Sequence, residues 1–254
     1  MLALIFSLDI ADIDTLKAEL RRELPTFKSS HRLELGARAC GYKSFTALRC
    51  VAAERRAVCE LSWPAAAAFL RRLGLPEDSK PLVHAIARFL MRRVMRDHPR
   101  LSWHGLGLGR PKAFEKPTDW LPTLQKSRAD LLAGEGGVTE FLRAYAFMSR
   151  VKKIQTINKN RSSYNLKHIA EKMVSCYPDG QKLGPMYVAN GPLIIAALAL
   201  DFKMRTFVDQ LGYESLNVSF NVSQRSLDDL DGEIRPNSSV AQARAWKAAR
   251  VRWA

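Results

Sequence analysis

The stretch SKPLVHAIARFLMRRVMRDHP, residues 79–99, carries a strong helical pattern. Ser79 precedes Pro81, a residue that suits the first turn of a helix, and the pattern stops at Asp97, His98 and Pro99. The sequence therefore predicts an amphipathic helix that buries one face. That face carries the apolar residues Leu82, Val83, Ile86, Phe89, Leu90 and Val94.

The same helix carries a stripe of arginines. Arg88, Arg92 and Arg96 follow one another at four-residue spacing, which places them along one helix face, with Arg93 beside them. Like charges at this spacing repel by about 0.2–0.5 kcal/mol per pair in an isolated helix, so we expect a compensating anion. We interpret the stripe as a face that contacts phosphates; an acidic surface and an ordinary solvated face are the alternatives.

Four further helices are predicted before residue 79. The second and third are short and joined by a tight turn at Gly41, so they match either a helix-turn-helix or a packing module. We favour packing, because the third helix offers few polar contacts: Lys43, Ser44, Thr46 and Arg49. The four helices are expected from Ile13 to Leu24, from Ser29 or Ser30 to Cys40, from Ser44 through Val51, and from Ser62 to Gly74.

Residues 99–118 are rich in proline and glycine, which predicts a linker or a long functional loop and a domain boundary. Within this segment, Gly109-Arg110-Pro111-Lys112 resembles the core of an AT-hook, a motif that binds the minor groove. Leu108 stands where that motif has its first arginine. Arg110 and Lys112 are therefore candidate contacts within an otherwise ordinary linker.

The region beyond the linker is predicted to be mixed. A strand is expected from 216 to 223, where four apolar residues alternate with polar ones, and residues 203–207 are its candidate hairpin partner. Helices are expected from Trp120 to Leu132, from Thr139 to Val151, from Ser162 or Ser163 through Val174, and from Asn190 through Leu200.

Together these patterns predict a mainly α-helical protein. Its expected parts are a helical domain at 1–98, a linker at 99–118, an α+β domain with a small hairpin at 119–235, and a basic tail helix at 236–254. The order of elements after residue 161 is that of a winged helix, in which the second helix enters the major groove. Because the helix from 191 to 202 is almost wholly apolar, a buried core helix is the alternative.

The charge of the chain favours a polyanionic partner, with nucleic acid as the first candidate. Lys and Arg number 40 against 25 Asp and Glu, which gives a net charge of +15. Most of the excess lies in residues 71–112 and 143–172. We predict phosphate contacts by Arg88, Arg92, Arg93, Arg96, Arg110, Lys112, Arg150, Lys152, Lys153, Lys159, Arg161, Lys167, His168, Lys203 and Arg205.

The tail from Val240 to Ala254 combines basic charge with Trp246 and Trp253. Seven residues apart, the two rings share a helix face and are candidate partner-binding residues, for a protein groove, a membrane surface or single-stranded nucleic acid. Docking of the tail on the body of the protein is the alternative. Upstream, Asp228, Asp229, Asp231 and Glu233 form an acidic patch, for which we expect pairing with the tail or with the basic segment.

Signatures of catalysis, metal binding and membrane insertion are lacking in the sequence. Cys40, Cys50, Cys59 and Cys176 lie far apart, without metal-ligand or disulfide-framework spacing. No run approaches the roughly 20 apolar residues that span a bilayer, and the N-terminus is unlike a signal peptide. We therefore expect a soluble cytoplasmic protein that is not an enzyme, binds no cofactor or metal ion, and does not associate with a membrane.

Two stretches carry recognisable motifs. The first contains Ser30-His31, Ala37-Arg38-Ala39, Gly41-Tyr42-Lys43-Ser44 and Ala47-Leu48. The second contains Ser163-Tyr164-Asn165-Leu166-Lys167-His168, Tyr187-Val188-Ala189-Asn190-Gly191 and the 217–223 strand. Both stretches resemble proteins of bacterial plasmids and integrative or conjugative elements, and the first is similar to a short helical module of these proteins. The resemblance implies a bacterial mobile element and assigns no catalytic residue.

These observations lead to two functional hypotheses. The first is an accessory or regulatory protein that binds nucleic acid, DNA rather than RNA, through phosphates. The second is an interaction or inhibitor protein that docks on the acidic surface of a partner protein, with the tail tryptophans as its anchor.

Overall fold

Ten α-helices and four short pairs of antiparallel strands make up the part of the chain that the computed structural model describes, residues 2–110 and 116–237 with residues 242 and 246. The prediction of a mainly α-helical protein with small hairpins is confirmed. The helices are α1 Ile13–Glu23, α2 Ser29–Ala39, α3 Phe45–Glu54, α4 Trp63–Arg72, α5 Lys80–Asp97, α6 Trp120–Ala133, α7 Glu135–Met148, α8 Ser163–Ala170, α9 Asn190–Ala199 and α10 Gln224–Ile234. The strands are β1 Ile5–Leu8, β2 Ala57–Glu60, β3 Leu101–Ser102, β4 Gly105–Leu106, β5 Ser175–Cys176, β6 Lys182–Gly184, β7 Met204–Arg205 and β8 Ser219–Phe220.

Helix α5 lies at the centre of the fold. It packs against α1 on one side and against α7 and α9 on another, so its buried surface is wider than the single apolar face that the sequence predicts. Even the polar His84 and Arg88 are buried. None of the described helices is long and apolar enough to cross a membrane.

The predicted starts and stops of the first helices are confirmed. Ser44 accepts a hydrogen bond on its Oγ from the Ala47 amide at 3.2 Å, and Gly41 ends the preceding helix with a left-handed φ of 81°. The purely helical prediction for residues up to 98 is wrong at β1 and β2. These strands pair across three intervening α-helices, in a register that joins Ile5 to Glu60. Each has only four residues, which is too few for the sequence to show the period of two that indicates a strand.

A hairpin within the predicted linker lies in the core. Leu101, Ser102 and Leu106 are buried in the β3–β4 hairpin, which packs against the start of α9. One continuous cluster of buried apolar side chains extends from Leu2 to Leu230 and joins both sides of the predicted boundary. The described residues show no break in the core at 99–118, because the glycines here shape a hairpin that docks on α9.

The predicted hairpin near the C-terminal end is confirmed, since β7 pairs antiparallel with β8. Its alternating pattern does not separate a buried face from an exposed one, because the whole segment 218–222 is buried. One edge of that segment pairs with β7, and the other edge pairs with residues 153 and 162. Helix α9 is buried along nearly its whole length, so it cannot enter a major groove, and the winged-helix interpretation is not supported.

A buried polar pair joins α5 to the segment between β5 and β6. His84 Nε2 lies 2.8 Å from the hydroxyl oxygen of Tyr177, and both side chains are buried. Burial lowers the pKa of His84 to about 4 and raises the pKa of Tyr177 to about 12. His84 is therefore neutral in the folded protein at neutral pH.

This pair predicts an acid-sensitive stability. Between the ordinary histidine pKa near 6.5 and the folded value of about 4, the unfolded chain binds a proton that the folded chain does not, so stability falls as pH falls. From pH 7 to pH 5 the contribution of His84 is about 2 kcal/mol. The His84→Gln variant keeps a hydrogen-bonding group that does not titrate. In urea denaturation at pH 7 and at pH 5, we expect the free energy of unfolding of this variant to fall by about 2 kcal/mol less than that of the wild type. An equal fall in the free energy of unfolding in both proteins would contradict the assignment of this pH dependence to His84.

Candidate nucleic-acid interface

The arginine stripe of α5 is paired with acids of the same chain. Arg88, with 3% of its side chain exposed, lies 2.6 Å from Glu23 through Nε, and its two Nη atoms donate to the Leu132 and Gly134 carbonyls. Arg92 pairs with Glu19 in the same way. The predicted phosphate contact by Arg88 is therefore wrong, because its guanidinium is buried and its donors are engaged.

The other arginines of this helix are also paired. Arg93 lies 3.6 Å from Asp12 and donates to the Ser7 carbonyl, whereas Arg96 is more than half exposed and lies 3.1 Å from Asp97. The acidic surface that compensates most of the stripe belongs to α1 and the turn before it. The stripe thus chiefly forms ion pairs within the protein, and it contributes at most Arg96 and part of Arg92 to an external surface.

Several other predicted cations have acidic partners on the surface. The guanidinium–carboxylate distances are 2.6 Å for Arg110 with Asp209, 2.6 Å for Arg150 with Glu233, and 3.1 Å for Arg161 with Asp228. The last two confirm that the acidic patch at 228–233 pairs with the basic segment at 143–172. That patch lies on α10, a helix that the sequence analysis did not predict.

Lys167 and His168 both contact the carboxylate of Glu171. Lys167 has 7% of its side chain exposed, and its Nζ lies 3.0 Å from Glu171. His168 Nδ1 lies 3.0 Å from the other oxygen of Glu171, and these two neighbours lower the pKa of that carboxyl despite its partial burial. The predicted role of Lys167 is wrong, because its charge is neutralised inside the fold.

Four of the predicted cations form what we call the basic patch: Lys152, Lys153, Lys203 and Arg205. All four are exposed, and none has an ion-pair partner among the residues that the structure describes. They come from two segments some 50 residues apart in the chain. The fold therefore gathers charge that the sequence keeps separate.

The segment 218–223 holds the basic patch together through its two edges. On one edge, Lys153 pairs with Val222, and the Ser223 amide donates to the Lys152 carbonyl at 2.9 Å. On the other edge, the Asn221 amide donates to the Lys203 carbonyl at 3.2 Å and Arg205 pairs with Ser219. Cations from both edges are thus spaced across one narrow strip of sheet.

Contacts of the side chains support this grouping. Lys153 Nζ lies 5.3 Å from the ring centroid of Phe202, the residue before Lys203, so its side chain reaches towards the opposite edge. A cleft of about 530 Å³ adjoins the basic patch and is lined by Lys152, Arg150 and Arg225, together with Ser223, Ser226, Asp229, Leu230 and Glu233. The exposed Lys159 lies in the same 150–161 segment.

Arg225 is the cation of this surface that the sequence analysis missed. It lies in the first turn of α10, where only a strand ending at 223 was expected. The capping serine at 223, whose Oγ accepts from the Ser226 amide at 3.3 Å, was a readable signal for that helix. Two predicted residues, Lys112 and Trp253, lie outside the described residues, whereas the ring of Trp246 is exposed.

Comparisons with known proteins add no functional assignment to this geometry. No protein-family model, no curated protein and no solved structure matches this chain. Within the described ranges, no group of three or more His, Cys, Asp or Glu side chains is arranged to hold a metal ion. The exposed charge and its placement are therefore the features that bear on function.

Proposed function

We propose that this protein binds nucleic acid through phosphate contacts at the basic patch. The observation that carries the proposal is the gathering of Lys152, Lys153, Lys203 and Arg205 around one strand, exposed and without acidic partners in the described part of the chain. When such unpaired cations bind a phosphate backbone, they release its condensed counterions, and this release makes binding favourable.

The contacts we propose are independent of base sequence. The helix that a winged-helix protein would insert into the major groove is here the buried α9, and lysine and arginine side chains at a sheet surface contact phosphates more readily than base edges. An accessory or regulatory role in a bacterial mobile element is part of the proposal, and it rests on the resemblance of the two stretches named above.

The test is a fluorescence anisotropy titration of a labelled DNA duplex at two salt concentrations. For the double variant Lys153→Glu/Lys203→Glu, we expect affinity to fall about tenfold or more and the slope of log K against log salt to decrease by about 2. Both changes follow from the loss of two phosphate contacts.

The matched control is Lys43→Glu/Arg49→Glu, which makes the same change in net charge at exposed residues beside and on α3. We expect near wild-type binding from it. A comparable loss in the control would indicate an effect of net charge, and a loss in the control alone would place the interface at the α2–α3 pair; either result contradicts the basic patch. Failure of the wild-type protein to bind any nucleic acid would reject the proposal in favour of an acidic protein partner.

A further inference from the structure

Two exposed tyrosines from different elements are held around one buried lysine. Tyr164 lies in the first turn of α8 with 49% of its surface exposed, and Tyr187 lies just before α9 with 61% exposed. The Nζ of Lys167 is 5.1 Å from the ring centroid of Tyr164 and 4.9 Å from that of Tyr187. Both rings are therefore fixed by the same cation.

Further contacts restrict the ring of Tyr164 and the backbone of Tyr187. The ring of His168 meets that of Tyr164 edge-on at a centroid distance of 4.5 Å, and His168 is itself held by Glu171. The carbonyl of Tyr187 accepts a hydrogen bond from Arg143 at 3.1 Å. The tyrosines are thus positioned without being covered, which limits the conformational entropy that a ligand must remove on binding.

These two side chains differ from the buried tyrosines of the same protein. Tyr145 donates its hydroxyl hydrogen to the Ile5 carbonyl at 2.6 Å, and Tyr177 contacts His84, so each has a structural role. The hydroxyls of Tyr164 and Tyr187 make no hydrogen bond within the described chain. Both side chains are exposed, and neither belongs to the cluster of buried apolar residues.

Tyr164 follows closely on residues that pair with the strand of the basic patch. The Ser163 amide donates to the Val218 carbonyl at 2.7 Å, and Ser162 pairs with Ser219, the residue with which Arg205 pairs from the opposite edge. Tyr164 is two residues beyond Ser162, at most about 7 Å along the chain. Tyr164, and with it the Tyr187 ring that shares its contact with Lys167, therefore lies near the strand that carries the basic patch.

We propose that Tyr164 and Tyr187 form a stacking platform for unpaired bases of a single-stranded nucleic acid whose phosphates contact the basic patch. This inference rests on the proposed function and adds the kind of strand that is bound. Exposed aromatic rings beside backbone-binding cations stack on bases of any sequence, and a duplex, whose bases are already stacked, does not present those faces.

The experiment compares the binding of a labelled single-stranded oligonucleotide of mixed sequence with that of the duplex of the same length. We expect the wild-type protein to prefer the single strand, and Tyr164→Leu/Tyr187→Leu to lose about tenfold or more in single-strand affinity while duplex affinity is unchanged. The variant Tyr164→Phe/Tyr187→Phe keeps both rings and should bind like wild type. Tyr213→Leu, at an exposed tyrosine of another loop, is the control.

The outcomes separate this inference from the proposed function. Unchanged single-strand affinity in the leucine variant, or equal losses for single strand and duplex, overturns the stacking platform. If the Lys153→Glu/Lys203→Glu variant still loses duplex binding in the same assay, phosphate binding at the basic patch stands without the platform. If the wild-type protein binds neither strand form, both proposals are rejected.

Discussion

Replacing Arg88 by methionine is expected to lower the free energy of unfolding by about 3–5 kcal/mol. The guanidinium is buried and joins α5 to two other helices, through Glu23 at the end of α1 and through the Leu132 and Gly134 carbonyls at the end of α6. Methionine fills a similar volume but leaves the Glu23 carboxylate and both carbonyls without their donors. Urea denaturation monitored by circular dichroism measures the effect.

A second substitution distinguishes loss of the ion pair from loss of packing. In Arg88→Met/Glu23→Gln the carboxylate that has lost Arg88 is removed as well, so we expect the double variant to be more stable than Arg88→Met alone. Arg96→Met, on the exposed end of the same stripe, should change stability by less than about 0.5 kcal/mol. A small effect of Arg88→Met on the free energy of unfolding would contradict the assignment of the stripe to ion pairs within the protein.

The limits of helices were readable from the sequence because their signals are local. Ser44 and Gly41 act within a few residues, and the stretch at 79–99 forms one helix from Lys80 to Asp97 as its pattern predicts. The first two strands escaped the same reasoning. Their pairing joins residues 5 and 60, and a strand of only four residues leaves too few positions to show a period of two.

The candidate site was only partly predictable, because charge counts do not show which acid each cation meets. Arg88 and Arg92 have their partners at Glu23 and Glu19, which repeat at the same four-residue spacing on a different helix. Lys153 and Lys203 were predicted singly as phosphate ligands. They come together because residues 153 and 203 lie on opposite edges of the 218–222 segment. An alternating pattern predicts a strand, but it does not show which segments pair with each of its edges.

Replacing Gly191 by alanine is expected to destabilise the protein by about 3 kcal/mol, although alanine is the better helix former. A Cβ at Gly191, the second residue of α9, would lie 1.9 Å from the Ser102 carbonyl oxygen and 2.7 Å from that of Trp103. These backbone atoms cannot easily retreat. The Ser102 hydroxyl is hydrogen-bonded to the Gly107 carbonyl at 2.7 Å, and the Gly191 amide donates to Trp103.

The control for this substitution is Gly232→Ala in α10, where no atom lies within 4 Å of the added Cβ. There the helix propensity of alanine acts alone, so we expect a gain of about 0.5–1 kcal/mol. Opposite signs at two helical glycines would show that the β3–β4 hairpin and α9 are held in backbone contact, and that the chain cannot be divided at residues 99–118. Equal gains at both sites would mean that the hairpin moves away at little cost, as an independent linker would.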